Sequence, residues 1–268
     1  MIQQVLLLCL FTSIIHATDT ASYAIRLAGI RVSKLAVALS LAGIIVLVSR
    51  TANLVQGLFI GDMVDDAKSG RLADIVSPFR VIIFSSSIGT LIALILFPTL
   101  VFISARVISH LEVAGSLPEM LKHSVTIKKL KHAGQHIRKP RLAMLSRLRI
   151  GGLPKRLLLL NCLVTAVYTV GVLAALYAAV LTPDNSAKAL MSSGLINGIA
   201  TIIFAMFVDP QVAVATDRAL TGKAEIETLN KMFGLLMISR FAGTLLAQLL
   251  LVPAAYWIKW VVELVNGG

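Results

Sequence analysis

LAVALSLAGIIVLVSRTANLVQGLFI (Leu35–Ile60) and MFGLLMISRFAGTLLAQLLLVPAAYWI (Met232–Ile258) are each long enough to cross a bilayer. Each carries one arginine, Arg50 or Arg240, directly after a serine. A spanning helix needs about 20 mostly apolar residues. An arginine at the bilayer centre costs at least about 2.5 kcal/mol, so it faces a protein interior or a watery cavity rather than lipid. The two stretches therefore point to a membrane protein that handles something anionic at membrane depth.

The whole composition agrees. Of 268 residues, 57% are hydrophobic and only 14% are charged, with a mean hydropathy of +0.87. Soluble domains carry roughly 25% charged residues. Six spans are expected, near 2–25, 35–60, 81–103, 157–181, 190–208 and 233–262, giving an all-α polytopic membrane protein. The apolar run Val5–Ile15 lacks a basic leading segment and reads as a retained first span rather than a signal peptide. Cys9 and Cys162 lie in apolar runs without metal-ligand spacing and read as small buried hydrophobes.

The net charge of +12 is concentrated in one loop. Residues 104–156 hold twelve Lys/Arg against Glu112 and Glu119. With that loop in the cytoplasm, 18 Lys/Arg fall inside and five outside, which places both termini outside. Topology and attraction to anionic membrane lipids explain the excess better than nucleic-acid binding does. Within the loop, Leu117, Leu121, Val125, Ile127 and Leu130 form an apolar stripe beside Lys122, Lys128, Lys129 and Lys131. The stripe fits a short helix lying on the inner leaflet; a solvated topology determinant is the other reading.

GTLIALILFP (Gly89–Pro98) in the third span resembles GTLLAQLLLVP (Gly243–Pro253) in the sixth. Upstream, Asp65, Ala67 and Gly70 match Asp217, Ala219 and Gly222. The matches fit a 3+3 inverted repeat, with 1–103 and 157–268 as three-span halves joined by the basic loop 104–156. Three is odd, so the halves would cross in opposite senses and hold a ligand near the midplane, as in many transporters.

Candidate site residues are the polar groups at membrane depth. His16, Asp19, Tyr23 and Arg26 follow one another at helical spacings in HATDTASYAIRLAGIR (His16–Arg31). His16 and Asp19 are the expected proton-coupling pair. Arg26, Arg50 and Arg240 are the expected anion ligands, because guanidinium suits bidentate phosphate contact. Asn53 shares the face of Arg50, and Gln248, eight residues beyond Arg240, is expected near that arginine's face, so both join the candidate ligands. The competing reading makes the arginines clamps onto helix carbonyls or onto acids such as Asp19 and Asp209. Asn197 sits beside Gly194 and Gly198, glycines expected to permit close helix approach.

Asp62, Asp65 and Asp66 admit a Mg²⁺–diphosphate reading, yet they sit among Lys68 and Arg71 as ordinary loop charges do. No HExxH, GxSxG, Walker or CxxC pattern occurs. No metal, no cofactor and no catalysis are expected. A membrane-embedded prenyl transferase and a non-transporting envelope scaffold remain the alternatives.

DTASYAIRLAGIR (Asp19–Arg31), LAVALSL (Leu35–Leu41), IIVLVSRTANLVQ (Ile44–Gln56) and MISRFAGTLLAQLLLVPAAYWI (Met237–Ile258) closely resemble the bacterial lipid II flippase Amj family. The resemblance implies a six-span protein of the bacterial inner membrane. Its partner would be lipid II, an undecaprenyl-pyrophosphate-linked disaccharide-pentapeptide, moved from the inner to the outer leaflet for peptidoglycan synthesis.

Overall fold

Backbone polar groups in lipid have no water to bond, so a chain this apolar folds into helices that satisfy them internally. The computed structural model describes residues 2–72, 74–114 and 154–266, and among these there are helices and no strand. The order is α1 (Ile2–Arg31), α2 (Leu35–Lys68), α3 (Val76–Ile95), α4 (Phe97–Ala114), α5 (Lys155–Leu181), α6 (Ser186–Ile203), α7 (Asp209–Leu220) and α8 (Ile226–Asn266). A 3₁₀ turn, Pro183–Asn185, precedes α6, and a π-helical stretch, Phe204–Val208, joins α6 to α7 in one long rod. Among the described residues, six rods are long and apolar enough to cross a membrane: α1, α2, α3, α5, the α6–α7 rod and α8.

Two expectations change. The third span breaks in two: α3 stops at Ile95, and Pro98 falls in the first turn of α4. Proline lacks an amide proton and is tolerated in a first turn rather than mid-helix. The expected loop from 104 begins as helix, since α4 runs to Ala114 and buries Val101 and Ile108 against Leu27 and Ile30 of α1. Pro253, the repeat counterpart of Pro98, lies inside an unbroken α8. The expected surface helix at 117–131 lies outside the described residues.

Side-chain contacts give the directions. Ser13 Oγ donates to Ser85 O at 2.9 Å, and Leu8 packs with Phe79 while Leu27 packs with Val101, so α1 runs parallel to the α3–α4 path. α2 packs on α1 and runs antiparallel to it, with Gln4 Nε2 donating to Phe59 O at 2.8 Å and Gly29 seated on Ala38. The second triple repeats this plan. Asn161 of α5 bonds Leu236 O and Ser239 of α8, and Ala174–Ala179 pack on Ala255–Val262, so α5 and α8 are parallel. Tyr168 of α5 meets Thr201 of α6, while Ala178 meets Ala189, so α6 returns antiparallel. Between the triples the sense reverses. Arg31 meets Asn230, Asp19 meets Arg240, and Leu8 shares a cluster with Leu251.

The repeated residues occupy the same local geometry. Gly70 (φ 75°) and Gly222 (φ 71°) both end their helices in the left-handed region that glycine enters without steric cost. Their amides turn back to Ala67 O and Ala219 O, both at 3.2 Å, one residue after the amides of Ser69 and Thr221 reach Asp65 O and Asp217 O. Asp74 then caps α3 through the Val76 and Ser77 amides. The Ser77 hydroxyl, with those amides, holds the Asp74 carboxyl below its usual range. Gly89 and Gly243 play one role each in their triple: they let α3 press on the Ser13 backbone and α8 on the Cys162 backbone. Apolar surface gains nothing by leaving lipid, so such close backbone approach is what holds spanning helices together.

A Cβ at Gly89 would lie 2.1 Å from Ser13 O, and one at Gly243 would lie 2.5 Å from Cys162 O. Gly89→Ala and Gly243→Ala are each expected to destabilise the bundle by about 1–3 kcal/mol, the usual cost of overpacking. Gly57→Ala, where the added carbon meets nothing, is expected to leave the detergent melting curve in place. Equal melting curves for all three variants would contradict this packing.

Candidate functional site

Among the described residues, the helices leave a polar cavity of about 260 Å³ between two apolar clusters. One cluster joins Tyr23–Ile30 to Leu157, Leu229 and Met232; the other joins Leu8, Ile60, Phe79 and Ile82 to Val170 and Leu251. The cavity wall takes His16, Asp19, Ser22, Tyr23 and Arg26 from α1, and Ser49, Arg50, Asn53 and Gln56 from α2. It takes Thr165, Tyr168 and Thr169 from α5, Asn197 from α6 and Arg240 from α8. The structure thus brings together His16, Asp19, Arg26, Arg50, Asn53 and Arg240.

Gln248 lies elsewhere. Eight residues of helix turn it about 80° from Arg240 and carry it about 12 Å along the axis. There its Nε2 donates to Arg80 O at 2.8 Å, and Arg80 Nη1 returns to Gln248 O at 3.4 Å, a clasp between α3 and α8. The glycines beside Asn197 also behave differently from expectation. Gly194 and Gly198 face open space, and the close approach is made by Gly171 of α5, on which the Asn197 amide rests.

The acids and arginines pair between helices rather than along α1. Arg240 Nη2 lies 3.7 Å from Asp19 Oδ2, and Arg26 Nη1 lies 3.4 Å from Asp209 Oδ1. Both are long beside the roughly 2.7–2.9 Å of a tight charge-assisted bond. The Nε atoms of Arg26 and Arg240 are buried without a hydrogen-bond partner in the protein, as are His16 Nδ1 and Asn197 Oδ1. Among the described residues Arg50 has no carboxylate partner; its guanidinium lies over the Tyr168 ring, 5.6 Å from the centroid. Arg240 similarly lies 5.8 Å from the Tyr23 centroid. The clamp reading therefore holds for part of the set: Arg240 does meet Asp19, and Asp209 meets Arg26. Three cations against one wall carboxylate leave loosely held donors suited to an anion with several oxygens.

Several residues fix this arrangement without having stood out in the sequence. Asn161 is fully buried; it accepts from Tyr23 OH at 3.0 Å and donates to Leu236 O at 2.9 Å and Ser239 Oγ at 2.6 Å. The serine before Arg240 is thus an anchor that sets where the arginine projects. On the other side, Gln56 Nε2 donates to Thr12 Oγ1 at 2.5 Å and ties α2 to α1. Asn161, Thr165, Tyr168 and Thr169 recur at helical spacing in an otherwise apolar span, and that polar stripe was the available signal.

Asp62, Asp65 and Asp66 sit in the last turns of α2 rather than in a loop, away from the cavity. Asp66 pairs with Arg71 at 2.6 Å. Among the described residues no group of three His, Cys, Asp or Glu is placed to hold a metal.

Asn161→Leu is expected to leave the buried Tyr23 hydroxyl without its acceptor, at about 1–3 kcal/mol. A melting temperature unchanged from the parent chain would show that Asn161 does not join the two triples.

No solved structure matches the chain. It is 42% identical over 261 residues to the lipid II flippase Amj of Bacillus subtilis (strain 168), covering 97% of each chain. A family model described as "Amj: Alternate to MurJ" matches residues 11–262. A match of that extent, across both triples and all the cavity-lining helices, places the chain in the Amj family.

Proposed function

We propose that this protein is a lipid II flippase, carrying the undecaprenyl-pyrophosphate-linked precursor from the inner to the outer leaflet of the bacterial cytoplasmic membrane. One observation carries the reading: a polar cavity lined by three arginines lies between two apolar clusters inside a six-span bundle. Charge moves through hydrocarbon only where fixed protein groups replace its water. Arg26, Arg50 and Arg240 supply that replacement for the pyrophosphate, with Asn53 beside them. The likeness to a relative named as a lipid II flippase supports the same substrate.

The cavity is smaller than the roughly 300–1,000 Å³ of pockets that enclose drug-sized ligands. It suits the pyrophosphate, so the sugar–peptide part requires the helices to part. Two inverted three-span halves, 1–103 and 157–268, rocking about the cavity would open one apolar plug at a time. Asp19 and Asp209 hold the arginines between cycles and yield them to phosphate. Asp19 and the buried His16 one turn away are the pair that couples the exchange to a proton. The basic loop 104–156 lies in the cytoplasm and both termini lie outside, following the positive-inside asymmetry.

Purified chain in liposomes is tested for delivery of lipid II to a membrane-impermeant probe. Arg50→Ala and Arg240→Ala are each expected to slow delivery about 10- to 100-fold, the value of one charged hydrogen bond of about 1.5–3 kcal/mol. Arg50→Lys should be intermediate, because it keeps charge and loses the bidentate fork. Full activity of both alanine variants at normal protein levels would sink the ligand assignment; no delivery by the parent chain would sink the flippase reading.

A further inference from the structure

The cavity has its mouth in the side of the bundle. Exposure rises across its wall: His16 is 9% exposed, the Arg240 side chain 15% and the Asp19 side chain 32%, while Arg50 is exposed outright. Beside Arg50, Tyr168 OH bonds the exposed Thr201 at 2.5 Å. Arg50 lies near the middle of α2, Tyr168 near the middle of α5 and Thr201 near the middle of the α6–α7 rod. The opening therefore faces hydrocarbon rather than either aqueous side. Helices α2 and α6 flank it, packing on α1 and α5 respectively while scarcely touching one another.

The surfaces leading away from this mouth are bare. On α2, Gly43, Gly57 and Gly61 share the helical stripe of Arg50; on α6, Gly194 and Gly198 lead to Thr201. A Cβ added at any of the five meets nothing within 4 Å. Glycine on a spanning helix normally marks close packing, and here nothing in the protein occupies the space. Within the cavity behind it, His16 is nine-tenths buried with an unpartnered Nδ1. A polar, cationic cavity with a mouth at Arg50, midway along the spanning helices, admits an amphiphile: an anion inside, with an apolar chain continuous with it outside.

We propose that the α2–α6 seam is a binding groove for the polyprenyl chain, and that Tyr168 is its threshold. This rests on the flippase reading and adds to it the path of the lipid tail. The Tyr168 ring supports Arg50 at the pyrophosphate, and its hydroxyl ties α5 to α6 where the first isoprenoid units leave the cavity. The stripe on α2 continues to both sides of Arg50, with Gly43 towards one membrane face and Gly57 and Gly61 towards the other. The chain can thus slide along the seam while the headgroup crosses inside.

The test uses the full chain in liposomes with undecaprenyl pyrophosphate bearing a diazirine in the isoprenoid units nearest the pyrophosphate. Labelling that unmodified undecaprenyl pyrophosphate competes away is expected on α2 around 50–61 and on α6 around 194–202. Competable labelling confined to other lipid-facing surfaces, or none, overturns the groove. In parallel, Gly57→Trp and Gly198→Trp should fold as the parent chain does and lower lipid II delivery about tenfold, as filling a needed contact space does. Leu249→Trp, on the exposed face of α8, should not. Parent-like delivery by both glycine variants also overturns the groove. Seam labelling without any delivery by the parent chain would keep the groove and reject the flippase reading instead.

Discussion

One constraint runs through this bundle: arginines within spanning helices must be held by protein groups, because lipid cannot hold them. Lipid cannot solvate them, so the protein does, with carboxylates on opposing helices and with aromatic faces. Arg240 is held by Asp19 and lies over Tyr23; Arg26 is held by Asp209; Arg50 lies over Tyr168. None of these contacts is tight, and two buried Nε atoms are left without a partner in the protein. A buried donor without an acceptor is costly.

The symmetry of the scaffold and the asymmetry of the site belong together. Both triples use the same devices: a glycine pressed onto a neighbouring backbone, a left-handed glycine ending the middle rod, and a first helix packed on the second and third. The cavity between them is unequal. Arg240 follows Ser239 in α8, whereas the corresponding stretch of α3 is Ser85–Ser86–Ser87, with no charge. The middle rods differ as well, since α2 is continuous while a π-helical stretch interrupts the α6–α7 rod just before Asp209. Such π-bulges gather at functional sites because they loosen the backbone ladder. The two triples thus present unequal faces to the cavity between them.

The spans, the polar residues at depth and the repeated turns were all legible in the chain, because each depends on local periodicity or on a residue type whose cost in lipid is large. Asn53 could be placed with Arg50 for the same reason, since three residues keep a face. Gln248 could not be placed with Arg240, because over two turns the drift of the helix carries a side chain to another neighbour. The glycines were legible as glycines, but not which ones carry contact. Gly171 receives Asn197, whereas Gly194 and Gly198 look onto open space.

The sequence by itself determined an all-helical, six-span protein with arginines at membrane depth, because hydrophobic length and the expense of buried charge are properties of single segments. Only the tertiary structure decided that Asp19 answers Arg240 rather than Arg26, and that Asn161 ties the triples together. It alone placed the cavity mouth at Arg50, between α2 and α6. Those outcomes depend on which helix faces lie within a few ångströms of each other, and that is fixed by packing between segments far apart in the chain.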